Sequence, residues 1–309
     1  MKKIYDLMII GGGPAGLCAG VYAARKQLKT VLISGDIGGQ MNNTSGIENW
    51  LGYQFITAPE LVGKFEEHVG RFPIDQEIGD KVTELKKADE LFEGVTEGGK
   101  GFKSRAVLLA TGKKPRTLNV PGEKELAGLG VTYCAICDGP VFARQRVAVI
   151  GGGNSAVEAA LDMLKIASHV DLVSLTPLTA DPVLVRQLKA APKLRTYIEY
   201  ETLRIEGKEE AEGVVIRKVG GGQEKRLNVT GVFIEIGLVP NSDIVRKLVP
   251  LNDAGEVPVS CFCETTQEGL YAAGDVTDVP EKQIIIAAGE GAKAALQVHR
   301  YLQRLEGED

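Results

Sequence analysis

Short runs of apolar residues, most of them stopping at or near a glycine, recur along the chain and set its frame. They fall at residues 4–10, 30–34, 105–109, 146–150, 170–175, 231–237 and 270–273. Runs of this length with little alternation predict strands buried on both faces, as in a parallel sheet covered by helices. Between them the apolar spacing lengthens to three or four residues at 14–26, 59–72, 154–164 and 283–305, which predicts helices. Strand and helix alternating in this way predict an α/β chain. Residues 81–109 break into strand-length pieces around Ala88-Asp89-Glu90 and Gly98-Gly99, the pattern of a small antiparallel meander. Residues 35–50 read as loop, and the proline-bearing stretches 113–121 and 238–241 read as linkers.

Two of the strand-to-helix junctions share one spacing. Gly11, Gly13 and Gly16 open the first helix, with Pro14 and Ala15 between them. Gly151, Gly153 and Ala156 open the helix at 154–164, about 140 residues later. In such a turn the first glycine permits the tight bend and the second lets backbone approach a pyrophosphate. The third lets helix and strand pack closely, and the free N–H groups at the helix start hold the phosphates. Strand before and helix after are both present in each copy. The repeat is an internal duplication, and it implies two dinucleotides, most economically a flavin and a nicotinamide. An acid reading the ribose of NADH belongs near the end of the strand at 170–175. Ser174-Leu175-Thr176 stands there, with Asp181 and Arg186 further on. No cation for a 2′-phosphate occupies that place either, which weighs more against NADPH than the missing acid weighs against NADH.

Between the two halves lies Cys134-Ala135-Ile136-Cys137-Asp138-Gly139. Two cysteines at this spacing can close a small disulfide ring and lower each other's thiolate pKa, and the neighbouring Asp138 can carry the proton that exchange requires. Taken alone, the pair also admits half a zinc site or chance. Cys261-x-Cys263 would supply the other half, but that spacing suits zinc poorly, so no metal is expected. Cys261 and Cys263 are expected in a strand without a chemical role, and Cys18 in the core. His68, His169 and His299 do not cluster. Five cysteines in 309 residues make no disulfide scaffold, which points to a reducing cytoplasm. A net charge of −5 offers no footprint for nucleic acid, and no apolar run reaches the length of a membrane span or of a secretory signal core after Met1-Lys2-Lys3. Residues 303–309 read as a solvated tail.

The order Gly11 to Gly16, Gly38-Gly39-Gln40, Cys134 to Gly139, Gly151 to Glu158, Gly274-Asp275 and Gln283-Ile284 resembles the low-molecular-weight thioredoxin reductases. Within that group it is most similar to the flavoprotein subunit of alkyl hydroperoxide reductase, over essentially the whole chain. The resemblance implies two Rossmann-like, three-layer ββα dinucleotide-binding domains, the second inserted into the first. An FAD domain would comprise 1–114 and 247–309, and an NAD(P)H domain carrying the cysteines 115–246. FAD would be held by Gly11, Gly13, Pro14, Ala15, Gly16, Gly39, Gln40, Asn49, Thr111, Gly112, Asp275, Gln283 and Ile284. The nicotinamide dinucleotide, NADH or NADPH, would be held by Gly151, Gly153, Asn154, Ser155, Ala156 and Glu158, with Ser174 at its ribose. Cys137 would face the flavin, Cys134 would attack the partner's disulfide and Asp138 would handle the proton. A positive helix end at Gln283-Ile284 would stabilise reduced flavin.

Two departures stand out. The chain starts at the first fingerprint, so the thioredoxin-fold segment of the peroxide-reductase flavoprotein is expected to be absent and a separate thioredoxin- or glutaredoxin-like protein to receive the electrons. Ser174-Leu175-Thr176 matches neither the arginine-bearing run of the NADPH enzymes nor the acid of the peroxide-reductase flavoprotein. A homodimer in the cytoplasm is the implied assembly. The rival readings are an NADH oxidase or peroxiredoxin-system flavoprotein, a reductase fed by ferredoxin or another donor, and a redox sensor without turnover.

Overall fold

The computed structural model describes residues 3–44, 46–189 and 191–307. Its first third runs β1 (Ile4–Ile10), α1 (Pro14–Arg25), β2 (Thr30–Ser34), β3 (Gly46–Ile47), β4 (Ile56–Thr57), α2 (Ala58–Gly70), β5 (Asp75–Ile78), β6 (Val82–Ala88), β7 (Leu91–Thr96) and β8 (Gly101–Leu109). A crossing strand, β9 (Lys113–Pro115), leads to β10 (Val131–Thr132), the single-turn helix α3 (Ala135–Asp138), β11 (Arg146–Ile150), α4 (Asn154–Ile166), β12 (His169–Ser174), α5 (Pro182–Lys189) and β13 (Leu194–Ile198). A second meander, β14 (Tyr200–Gly207), β15 (Ala211–Lys218) and β16 (Lys225–Leu227), precedes β17 (Gly231–Ile234). The chain returns through β18 (Leu238–Pro240) to β19 (Leu270–Ala272) and α6 (Ile284–Gly307).

These strands form two main sheets. The first has the order β5-β2-β1-β8-β7-β6, with β19 also paired to β8. In the second, β10-β17-β11-β12-β13 are all parallel. Strand β8 is the spine of the first sheet. One edge pairs with β1 along its length, while the other meets β7 near its start and β19 near its end. The expected small meander is therefore an extension of the parallel sheet. The apolar runs of β2 and β11 are almost wholly buried, as strands covered on both faces require. Each fully buried leucine or isoleucine contributes roughly 1.5–3 kcal/mol, and Leu7, Ile9, Leu32, Ile33, Leu108 and Leu109 are all in that class.

Helices α1 and α6 cover one face of the first sheet and approach each other closely. A Cβ on Gly291 would lie 2.0 Å from the Ala15 carbonyl oxygen, so the two backbones meet where no side chain fits. Helix α2 begins with a capping box: Thr57 accepts from the Glu60 N–H while the Glu60 side chain accepts from Thr57. Those bonds hold the Glu60 carboxyl below its ordinary range.

The structure departs from the sequence reading at several places. Helix α2 stops at Gly70, and residues 35–50 contain a 3-10 turn (Gly39–Asn43) as well as β3. Both presumed linkers contain strand, and β9 and β18 pair with each other. Cys261 and Cys263 stand in a turn rather than a strand, because Cys263 adopts φ +63°, a left-handed conformation that ends extended pairing. The solvated tail is helix as far as Gly307, because Val298, Tyr301 and Leu302 continue the buried face of α6; residues 308 and 309 lie outside the described residues. Cys18, expected in the core, is half-buried in α1. Among the described residues, no helix is long and apolar enough to cross a membrane.

Candidate functional site

A cleft of about 780 Å³ opens at the C-terminal ends of β1, β2 and β8, the place where parallel α/β sheets receive ligands. Its floor is the turn into α1, and steric contacts assign each glycine a task. Gly11, at φ +120°, has the Ala110 carbonyl oxygen 2.2 Å from where its Cβ would sit. A Cβ on Gly16 would lie 1.9 Å from the Gly11 oxygen. Gly13 is different: nothing lies within 4 Å of its missing Cβ, so its open side faces the cleft. The Ser34 Oγ accepts the Gly12 N–H at 2.8 Å, and the Gly12 carbonyl accepts the Gly38 N–H at 2.9 Å, tying the next loop down.

The second turn repeats these contacts. A Cβ on Gly151, at φ +147°, would lie 2.2 Å from the Glu235 carbonyl oxygen, while one on Gly153 would meet only Thr179 Oγ1, at 3.9 Å. The Gly152 carbonyl accepts the N–H of Thr179 at 2.8 Å. Ser174 is buried behind the turn, its Oγ donating to the Thr176 carbonyl at 2.7 Å, so it supports Gly152 and does not present a hydroxyl outward. Asp181, further along the chain than the spacing for a ribose-reading acid, also lies at this turn. Its carboxylate accepts from Asn154 Nδ2 at 3.2 Å and its N–H donates to Asn154 Oδ1 at 2.8 Å, which fixes it beside the first residue of α4. Ala156 is buried in the second unit's core, whereas Glu158 lies outward on α4. Ser155 donates to Glu235 at 2.6 Å.

Of the residues expected around a flavin, Gly11, Gly13, Pro14, Ala15, Gly39, Gln40, Thr111, Gly112, Asp275, Gln283 and Ile284 line the cleft. Gly16 packs beneath it, and Asn49 stands at its edge, donating to Gln283 Oε1 at 3.0 Å. The Gln283 carbonyl accepts the first helical N–H of α6, from Ala287 at 2.9 Å. The Gly274 N–H donates to the buried Glu290 carboxylate at 2.8 Å, fixing the turn that carries Asp275. Burial pushes the Asp275 carboxyl up, while Lys282 and Lys113 pull it down. The size of the cleft and the open face of Gly13 fit a dinucleotide.

The opposite wall of the same cleft carries Thr132, Tyr133, Cys134, Cys137 and Asp138. Cys134 and Cys137 are joined as a disulfide, their Cα atoms 5.3 Å apart. Cys134 caps α3, its Sγ accepting the Cys137 N–H at 3.2 Å. Asp138 is buried, and its two oxygens accept the hydroxyls of Thr132 and Thr44. Burial raises its carboxyl pKa, against the downward pull of those two hydroxyls. The half-buried Glu235 carboxyl is also pushed up by desolvation, though it accepts from Ser155 and from the Ala135 N–H, and so links the second turn to α3.

Sequence reasoning missed Thr44, Glu235 and Asn241. Asn241 joins the two crossings: its Nδ2 donates to the Thr111 carbonyl at 2.9 Å, and Thr111 Oγ1 donates to the Asn241 carbonyl at 2.7 Å. A half-buried ion cluster at the cleft, Lys113 and Lys282 with Glu256, was missed as well. Burial alone would raise the Glu256 carboxyl, but hydrogen bonds from Lys113 and Asn252 carry it below its ordinary value.

Known proteins share this architecture. The profile of the pyridine nucleotide-disulphide oxidoreductases matches residues 5–291. The alkyl hydroperoxide reductase F protein of Staphylococcus aureus is 41% identical over 304 residues, covering 98% of this chain. The chain spans 60% of the length of that relative. Among solved structures, thioredoxin reductase from Streptococcus pyogenes superposes with a TM-score of 0.93 at 36% identity, covering 98% of this chain and 100% of that one. Thioredoxin reductase from Lactococcus lactis, in a form described as the FR conformation, gives a TM-score of 0.68 at 34% identity, with 97% and 99% covered. With two Rossmann-like units, a glycine turn at the head of each and a disulfide on the wall of their shared cleft, the chain belongs to the pyridine nucleotide-disulphide oxidoreductase family.

Proposed function

We propose that the chain is an FAD-dependent disulfide reductase. It draws two electrons from a reduced nicotinamide dinucleotide and delivers them, through Cys134 and Cys137, to the disulfide of a thioredoxin- or glutaredoxin-like protein. The observation that carries this reading is the placement of the cysteine pair on the wall of the same cleft that Gln283 and the floor turn at Gly11 and Gly13 line. When bound, FAD supplies the two-electron exchange between nicotinamide and disulfide. FAD would be held by residues 1–114 and 247–309, among them the N–H groups of the Gly11–Gly16 turn, Asp275 and Gln283, and the helix end at Gln283 would favour the reduced flavin's negative charge. The nicotinamide dinucleotide would be held in residues 115–246, at Gly151, Gly153 and Asn154. Asp181, fixed at that helix start, favours NADH because a carboxylate there repels a 2′-phosphate.

Two electrons entering the Cys134–Cys137 bond break it and leave two sulfurs. One takes a proton from Asp138, and the other, as thiolate, is the nucleophile for the partner protein. In the arrangement observed, the pair faces the cleft, so the nicotinamide and the protein acceptor are served after 115–246 swings about the β9–β18 ribbon. The contrast between TM-scores of 0.93 and 0.68 at almost equal identity supports two arrangements of one architecture.

The test is direct. The purified chain with FAD, given NADH, should lose its yellow colour and generate thiols in an added thioredoxin-fold protein, and Cys137→Ser should abolish the second effect. A colourless protein, or Cys137→Ser with unchanged throughput, overturns the reading. The staphylococcal relatives support a second reading, in which the same electrons serve peroxide reduction. The full-length match to thioredoxin reductases favours the first.

A further inference from the structure

Asp138 and Thr44 are 94 residues apart in sequence and belong to opposite walls of the cleft. Thr44 follows the 3-10 turn that lines the flavin side. Its hydroxyl reaches across to Asp138 Oδ1, and it also lies 3.3 Å from the Gly46 carbonyl. On the acid's own side, Thr132 donates to Oδ2 and accepts the Cys134 N–H at 3.2 Å, which ties the carboxylate to the cysteine loop. Of the two hydroxyls, only the one from Thr44 must let go when the cysteine pair leaves the cleft. We propose that Thr44 is a positioning residue for Asp138, holding the acid aligned for disulfide opening while the pair is docked and releasing it when the two units part. This rests on the reductase reading above. The step it serves takes two electrons from the reduced nicotinamide and one proton from Asp138, giving one thiol, one thiolate and an Asp138 carboxylate that water reprotonates.

The surroundings of Asp138 leave these hydroxyls as its electrostatic partners. Lys208, Glu209, Glu210 and Glu212 line a second, polar cavity that Asp138 also borders, and Glu235 lies beyond the Ala135 N–H. None of them, among the described residues, bonds to Asp138; burial, then Thr132, then Thr44 set its proton affinity. Removing the Thr44 hydroxyl takes away a donor to the carboxylate, so the acid form should persist to higher pH in the docked state.

The experiment uses the full chain loaded with FAD, mixed with NADH without oxygen and quenched with an alkylating agent. Mass measurement of alkylated Cys134 and Cys137 then requires no partner protein. On the acid side of the alkaline limb, where both proteins keep the Asp138 proton, Thr44→Val should open the disulfide about fivefold more slowly, the rate equivalent of one ordinary hydrogen bond. Its alkaline limb should move to higher pH, and Thr44→Ser should restore both values. A Thr44→Val profile matching the wild type in rate and pH dependence overturns the proposal and leaves the reductase reading intact. A slower Thr44→Val whose pH limb does not move, or that serine fails to rescue, also overturns it, since a packing role alone behaves that way. A wild-type chain whose disulfide stays closed under NADH overturns both.

Discussion

Gly13 and Gly16 stand three residues apart, yet the surroundings of their missing Cβ atoms predict opposite phenotypes. Gly13 sits in ordinary extended backbone at the α1 N-cap with empty space before it. Gly13→Ala should therefore fold within about 1 kcal/mol of the wild type while losing most of its bound flavin, read from visible absorbance per protein. Gly16→Ala meets a carbonyl oxygen at 1.9 Å and should lower the urea midpoint by the equivalent of about 3 kcal/mol. Asp138 gives a second residue-scale outcome. Because burial raises its pKa, the proton stays available above the usual carboxylate range, and opening of the disulfide should slow as pH rises through that raised value. Asp138→Asn should be slower by roughly a hundredfold and flat across the same pH interval, which rapid-quench alkylation at several pH values would check. The glycine spacing that locates the turns was legible in the chain. The burial of Asp138, the inward hydroxyl of Ser174 and the Asn154–Asp181 pairing were not, because each depends on which segments the fold brings together.

The contact of α1 with α6 shows the same logic between helices. Gly291 lets α6 lie against the first turn of α1, the turn that also forms the floor of the cleft. Gly291→Ala should separate the helices, cost about 3 kcal/mol in urea unfolding and lower flavin retention, since Ala15 and Gly13 would shift together. Loss of stability with full flavin content would show that the floor is held by the strands alone. Helices and buried strands were legible because their apolar periodicity is strong: β2 and β11 have the predicted bounds. The meander β14–β16 and helix α5 were not assigned. Strand β14 is mostly half-buried, and its mixed composition carries little alternation to mark it. The pairing of β9 with β18 was beyond reach for another reason: three residues ending in a proline read as linker until the partner strand is known.

On the scale of the whole molecule, the two units meet at the cleft and are joined through two crossings. Gly112, at φ +63°, stands just before β9 and Gly237, at φ +99°, just before β18. A cross-link fixing 115–246 against the rest should permit the enclosed disulfide to exchange electrons with the flavin but stop steady-state turnover with a protein acceptor. Full turnover after cross-linking would eliminate the swing. The two crossings are also stitched to one another, Leu238 opposite Pro115 and Pro240 opposite Lys113, with Asn241 and Thr111 locked beyond them. Two independent tethers would let the smaller body wander through a cone. A single laced strip behaves as a torsion bar, leaving one angle to vary, so one dye pair spanning the cleft would register the entire working cycle as a single coordinate.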